Sequence, residues 1–171
     1  MNNAVLRAVL IGMLLVSFGC SESGNDDQAR LLKDVDSTLT YSVVFQDIDK
    51  YAGKRVAWDG IALGSYRGPK DGKKMVRENY TFLPADDRSG GVDFDKPFMF
   101  HRLEGEDFRT ESAKRADANP KGHRRRLVIG TIEGSEEFKY EENGESKTIK
   151  APVLKDVIVT VATNGDHVGG F

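Results

Sequence analysis

Between positions 37 and 163 the apolar residues fall mostly on a two-residue period, interrupted at intervals by turn-forming pairs. The first break from that rhythm is Phe45, Ile48 and Ala52, whose helical spacing ahead of Gly53 predicts a short helix or turn. It leads into residues 54–63, where Val56 and Trp58 share one strand face and Ile61 and Leu63 the other. The phase changes at Gly60, as at a β-bulge or tight bend. Residues 65–74 hold two turn pairs, Gly68-Pro69 and Asp71-Gly72, and read as a loop. A second strand is expected over 75–83 and a turn over 86–91. A third strand spans 92–100, with Pro97 at an edge or a break.

The charged stretch 104–119 has only Phe108, Ala113 and Ala116 to bury, so it reads either as a short exposed helix or as a disordered loop. Strands four and five follow at 126–133 and 152–162. The segment 136–147 between them is a charged hairpin tip turning at Asn143-Gly144, and 164–171 reads as a loose tail. The fold class is therefore mainly β: a small five-stranded barrel with one or two short helices.

A β-β-β-(α)-β-β order with a bent, Gly-containing first strand is the layout of an OB-fold, with an SH3-like or other small barrel as the competing architecture. The wording of the strands adds a resemblance. Tyr51-Ala52-Gly53-Lys54-Arg55-Val56-Ala57-Trp58-Asp59-Gly60 resembles the opening "Y-x-GK-x-V-x-x-x-G" of bacterial OB-fold domains of the tRNA-anticodon-binding-like type. Residues 126–134 and 153–159 are similar to that type's later "V-x-GTI-x-G" and "LKD-x-x-I" strands. The chain departs from the pattern by a long connection between strands three and four and by lacking a cysteine after the last motif. The resemblance implies the fold and a place in the cell envelope, and it carries no assigned activity.

The chain start is separate from the barrel. Arg7 precedes an apolar run over 8–18, too short to span a bilayer and of the length of a signal-peptide core. Small residues then lead to Cys20, the only cysteine of the chain. This ending resembles a bacterial lipobox, which implies cleavage after Gly19 and acylation of Cys20; the alternative is an ordinary secretory signal with an incidental cysteine. The expected organisation is a signal peptide at 1–19, a lipidated cysteine and flexible tether at 20–36, a barrel at 37–163 and the tail. The partner that follows is the membrane, through the lipid anchor, in the bacterial cell envelope.

With 25 basic and 27 acidic residues in 171, the chain lacks the excess of positive charge of a dedicated nucleic-acid binder. One cysteine excludes an internal disulfide framework and any multi-Cys zinc site. No nucleophile motif or phosphate-binding glycine loop is present, and His101, His123 and His167 are scattered, so no catalysis, cofactor or metal is expected. The basic segment 121–126 is either a lipid-headgroup contact or simply the exposed start of strand four.

The remaining candidate is a binding face on strands two and three, between the loops that flank it. Its residues would be Trp58, Tyr66, Arg67, Lys74, Tyr80 and Phe82, with the first loop basic and the second acidic (Glu136, Glu137, Glu141, Glu142, Glu145). The leading expectation is a non-catalytic binding or scaffolding module whose partner is another envelope protein or a glycan. An oligosaccharide or small-ligand binder is the alternative. A single-stranded nucleic-acid binder ranks last, because the acidic loop would repel phosphate.

Overall fold

The computed structural model describes residues 29–70, 72–84, 94–118 and 125–162. Cys20 and the apolar run, the 86–91 turn, most of the basic 121–126 segment and the tail fall outside these. The chain divides after Lys33: residues 29–32 form a helical turn of the first unit, and the second, beginning at Asp34, carries the barrel.

The second unit runs α1 (Tyr41–Gln46), a 3-10 turn (Asp49–Tyr51), β1 (Arg55–Lys70), β2 (Lys73–Phe82), β3 (Pro97–Leu103), α2 (Glu111–Asp117), β4 (Arg125–Glu142) and β5 (Glu145–Val161). The strands close into a barrel in the order β1-β2-β3-β5-β4. All pairs are antiparallel except β3 with β5. Five strands, this order and a helix between β3 and β4 make an architecture compatible with an OB-like fold.

Closure depends on β1 serving two partners. Its first half pairs with β4 and its second half with β2, and Gly60 and Ile61 pair with both. The bend expected at Gly60 lies slightly later: the register shifts between Ala62 and Gly64, where Gly64 takes a φ of +141°. Gly60 has a different task. A Cβ there would lie 2.8 Å from Cζ of Phe98 and 2.9 Å from the carbonyl oxygen of Thr81, so the missing side chain lets the Phe98 ring reach the barrel wall.

The core packs Trp58 edge-on to Phe98 at 5.5 Å, and Tyr80 against Phe98 and Phe100 at 5.6 and 5.8 Å. Val56, Val128, Ile132 and Leu154 fill the space around the rings. Each such burial contributes about 1.5–3 kcal/mol. The stripe expected at Phe45, Ile48 and Ala52 is realised instead by Tyr41, Val44 and Ile48. Thr40 caps α1, its side chain accepting from the Val43 amide, so the helix starts early and breaks before Ile48. Buried polar atoms along this seam are satisfied: Trp58 Nε1 donates to the Leu39 carbonyl at 3.1 Å and the Tyr41 hydroxyl to the Pro97 carbonyl at 2.9 Å.

Between β3 and β4 the charged stretch forms a helix, of the two readings the sequence left open. Thr110 caps α2, Ala113 is its buried residue, and Asp117 accepts from Arg126 and Arg109. The backbones of Phe108 and Thr110 bond to Val159, and these ties dock the segment on β5.

Two expected loops are strands. Residues 65–70 and 73–74 continue β1 and β2 as a paired hairpin. Residues 136–142 and 145–147 likewise extend β4 and β5 up to the Asn143-Gly144 turn. That turn has φ of +54° and +81°, the two positive values a type I′ hairpin requires. The third strand begins at Pro97, later than expected, a first position where the missing N–H costs no ladder bond.

Candidate functional site

Beyond the barrel, β1–β2 and β4–β5 continue as two long paired hairpins, or arms. A register shift between Ile132 and Gly134 redirects the β4–β5 arm. One face of the arm then carries Glu136 and Phe138, paired with Ala151 and Ile149. Phe138, Ala151 and Val153 pack on Met99, which is fully buried although it points away from the barrel interior. Leu63 of β1 joins this second, smaller core. The base of the arm is therefore seated on the sheet, and that seat brings Glu136 to β3.

Strand register places the rest. Tyr66 pairs with Arg77, and Arg77 with His101, so the three side chains form a row across β1, β2 and β3. The Arg77 guanidinium carbon lies 5.7 Å from the Tyr66 ring centroid. A Cβ at Gly68 would come within 3.0 Å of Cε1 of the same ring, so Gly68 leaves the ring room to lie along the strand. Held this way, Tyr66 remains 64 % exposed, the most exposed large hydrophobic among the described residues.

His101 Nε2 lies 2.9 Å from Oε1 of Glu136, and Lys70 Nζ donates to the same oxygen at 3.0 Å. Burial pushes the Glu136 carboxyl up, but the Lys70 hydrogen bond and the His101 interaction outweigh it and hold the group below its ordinary value. Facing an ionised carboxylate, His101 Nε2 is the protonated ring nitrogen and donates. Together Tyr66, Lys70, Met75, Arg77, His101 and Glu136 line a cleft of about 220 Å³. It offers an aromatic surface, cationic donors and one acceptor, the mix that orients a small polar ligand.

The structure separates the six residues expected on this face. Tyr66 lines the cleft. Arg67 and Lys74 lie on the opposite face of the β1–β2 hairpin, because side chains alternate along a strand; Arg67 sits 3.6 Å from Glu104. Trp58 and Tyr80 are 2 % and 5 % exposed inside the barrel. Phe82 is partly buried and stacks on Tyr41 at 4.9 Å. These three rings belong to the core and not to a ligand face.

Lys70, Met75, Arg77 and His101 join Tyr66 in the cleft, and Glu136, expected only in the acidic loop beside the face, enters it directly. One signal was available: if Asp71-Gly72 is a two-residue hairpin turn, Lys70 pairs with Lys73 and Tyr66 must face Arg77. Nothing local points to Glu136. Of the basic segment, Arg125 pairs with Asp59 at 2.6 Å and Arg126 with Asp117.

Among the described residues no group of three or more His, Cys, Asp or Glu side chains is placed to hold a metal ion, and no helix is long and apolar enough to cross a membrane. Set against known protein families, curated proteins and solved structures, the chain matches none.

Proposed function

We propose that the chain is a lipid-anchored protein of the bacterial envelope whose barrel is a non-catalytic binding module, with its ligand or partner held in the cleft between the two arms. The observation that carries the reading is the Tyr66 ring, presented to solvent by Arg77 and Gly68 beside the Lys70–Glu136–His101 cluster. An exposed aromatic held in one orientation costs little entropy when it binds, which suits recognition more than stability. The Cys20 signal supports the anchor, and the arms supply the walls a ligand needs.

Of the ligands weighed, a glycan fits the cleft better than nucleic acid. It offers a single exposed ring, while the β4–β5 arm carries Glu137, Glu141, Glu142 and Glu145 and opposes a phosphate track.

A photo-crosslinking side chain at position 66 of the full-length protein in cells tests this, beside a Cys20→Ala control. One envelope component, protein or polysaccharide, should be captured and should be lost in the control. A protein that partitions to the membrane equally well as Cys20→Ala overturns the anchor. A position-66 probe that captures nothing while a probe elsewhere on the barrel does overturns the site.

A further inference from the structure

The charges in the cleft are unequally matched. Lys70 is compensated by Glu136, and around the barrel Arg102 meets Glu78 at 2.7 Å, Arg125 meets Asp59, and Arg67 meets Glu104. Arg77 stands apart: its contact is the Tyr66 ring, and no carboxylate partners it among the described residues. Its Nε is buried without a hydrogen-bond partner, and so is Oδ1 of Asn79, two residues along the same face of β2. An uncompensated guanidinium with a desolvated N–H, lying beneath an exposed aromatic ring, is costly to maintain for stability alone.

Resting on the reading of the cleft as a binding site, we infer that its ligand is a saccharide bearing a carboxylate, the sugar's apolar face on Tyr66 and the carboxylate on Arg77. A guanidinium pairs a planar carboxylate through two parallel N–H donors. Lys70 and Glu136 offset one another, which leaves the Arg77 guanidinium without a carboxylate partner, and a single carboxylate matches it. A phosphate dianion would bring a second negative charge toward the Glu136 carboxylate. The acidic end of the β4–β5 arm acts in the same sense, and His101, through its bond to Glu136, keeps that carboxylate at the wall.

Matched sugar pairs that differ in the acid group isolate the inference: glucuronate against glucose, and N-acetylmuramate against N-acetylglucosamine, with inorganic phosphate as a third probe. Binding is read by saturation-transfer NMR and calorimetry on the full chain in detergent. Each acid should bind about tenfold tighter than its neutral partner, the size expected of a hydrogen bond to a charged group. Arg77→Gln should bring the members of each pair within about twofold of one another, and Tyr66→Ala should weaken both, with circular dichroism unchanged.

Equal binding of acid and neutral sugar overturns the carboxylate assignment and leaves the glycan site standing. Phosphate displacing both acids overturns it in favour of a phosphoryl ligand. No binding by any of the four sugars to folded protein overturns it too. The position-66 crosslink then decides separately whether the cleft binds anything.

Discussion

Glu136 on β4 accepts from His101 on β3 at 2.9 Å, although the two strands are not neighbours in the barrel. The contact exists because the β4–β5 arm is laid over the sheet, with Phe138 and Ala151 on Met99 beneath it. A polar clasp and a small apolar core therefore hold one arm, and Lys70 brings the other arm to the same carboxylate.

That shared carboxylate gives the clasp a pH dependence. The folded-state pKa of Glu136 lies below its ordinary value, so its stabilisation is present in full above the ordinary carboxylate range and is lost as pH falls through the lowered value. Asp117 behaves alike: burial raises its carboxyl, and the bonds from Arg126 and Arg109 bring it below the usual value. The melting midpoint should fall on acidification below about pH 5. In Glu136→Gln the fall should be shallower, with a loss of about 0.5–1 kcal/mol at neutral pH, the scale of a half-exposed ion pair. A parallel pH profile in wild type and variant would show that the clasp contributes nothing.

The aromatic residues divide by location, and substitution should show it. Trp58→Ala removes a buried ring and its bond to the Leu39 carbonyl, and should cost about 3–5 kcal/mol. Tyr66→Ala removes a ring that is 64 % exposed, and should change stability by less than about 0.5 kcal/mol. Urea unfolding monitored by circular dichroism separates the two. Comparable losses would place Tyr66 in the core.

Two glycines are held by close approach rather than by conformation. A methyl at Gly60 meets a backbone oxygen at 2.9 Å, and one at Gly130 meets Cγ2 of Val157 at 2.9 Å and the Lys155 carbonyl oxygen at 3.2 Å. Gly60→Ala and Gly130→Ala should each lower stability by about 1–3 kcal/mol, as overpacking does. Gly72→Ala adds a methyl in open space, and its cost should come from the φ of +73° alone, about 1 kcal/mol. Denaturation midpoints with unchanged slopes would verify the ranking.

Much of the barrel was legible along the chain because strand periodicity, turn pairs and element order are local properties. Val56 and Trp58 declared an inward face, Asn143-Gly144 a hairpin, and the strand sequence a small closed barrel. The first, fourth and fifth strands run longer than expected, since the added residues, such as 65–70 and 141–142, are mostly polar and pair through backbone bonds that an apolar pattern does not report.

The cleft was barely legible, for a physical reason. Whether an aromatic ring faces core or solvent depends on register, and a shift of one residue reverses it. That is how Tyr80 and Phe82 came to read as a binding face while Arg77 and His101 did not. The meeting of Glu136 with His101 rests on more still: a register shift in β4 and a patch of apolar side chains from four strands that seats the arm. By itself the amino-acid order determined that five strands follow one another along the chain and close into a small barrel. Only the tertiary structure, by curling one hairpin over its own sheet, decided which charges would share a cleft with Tyr66.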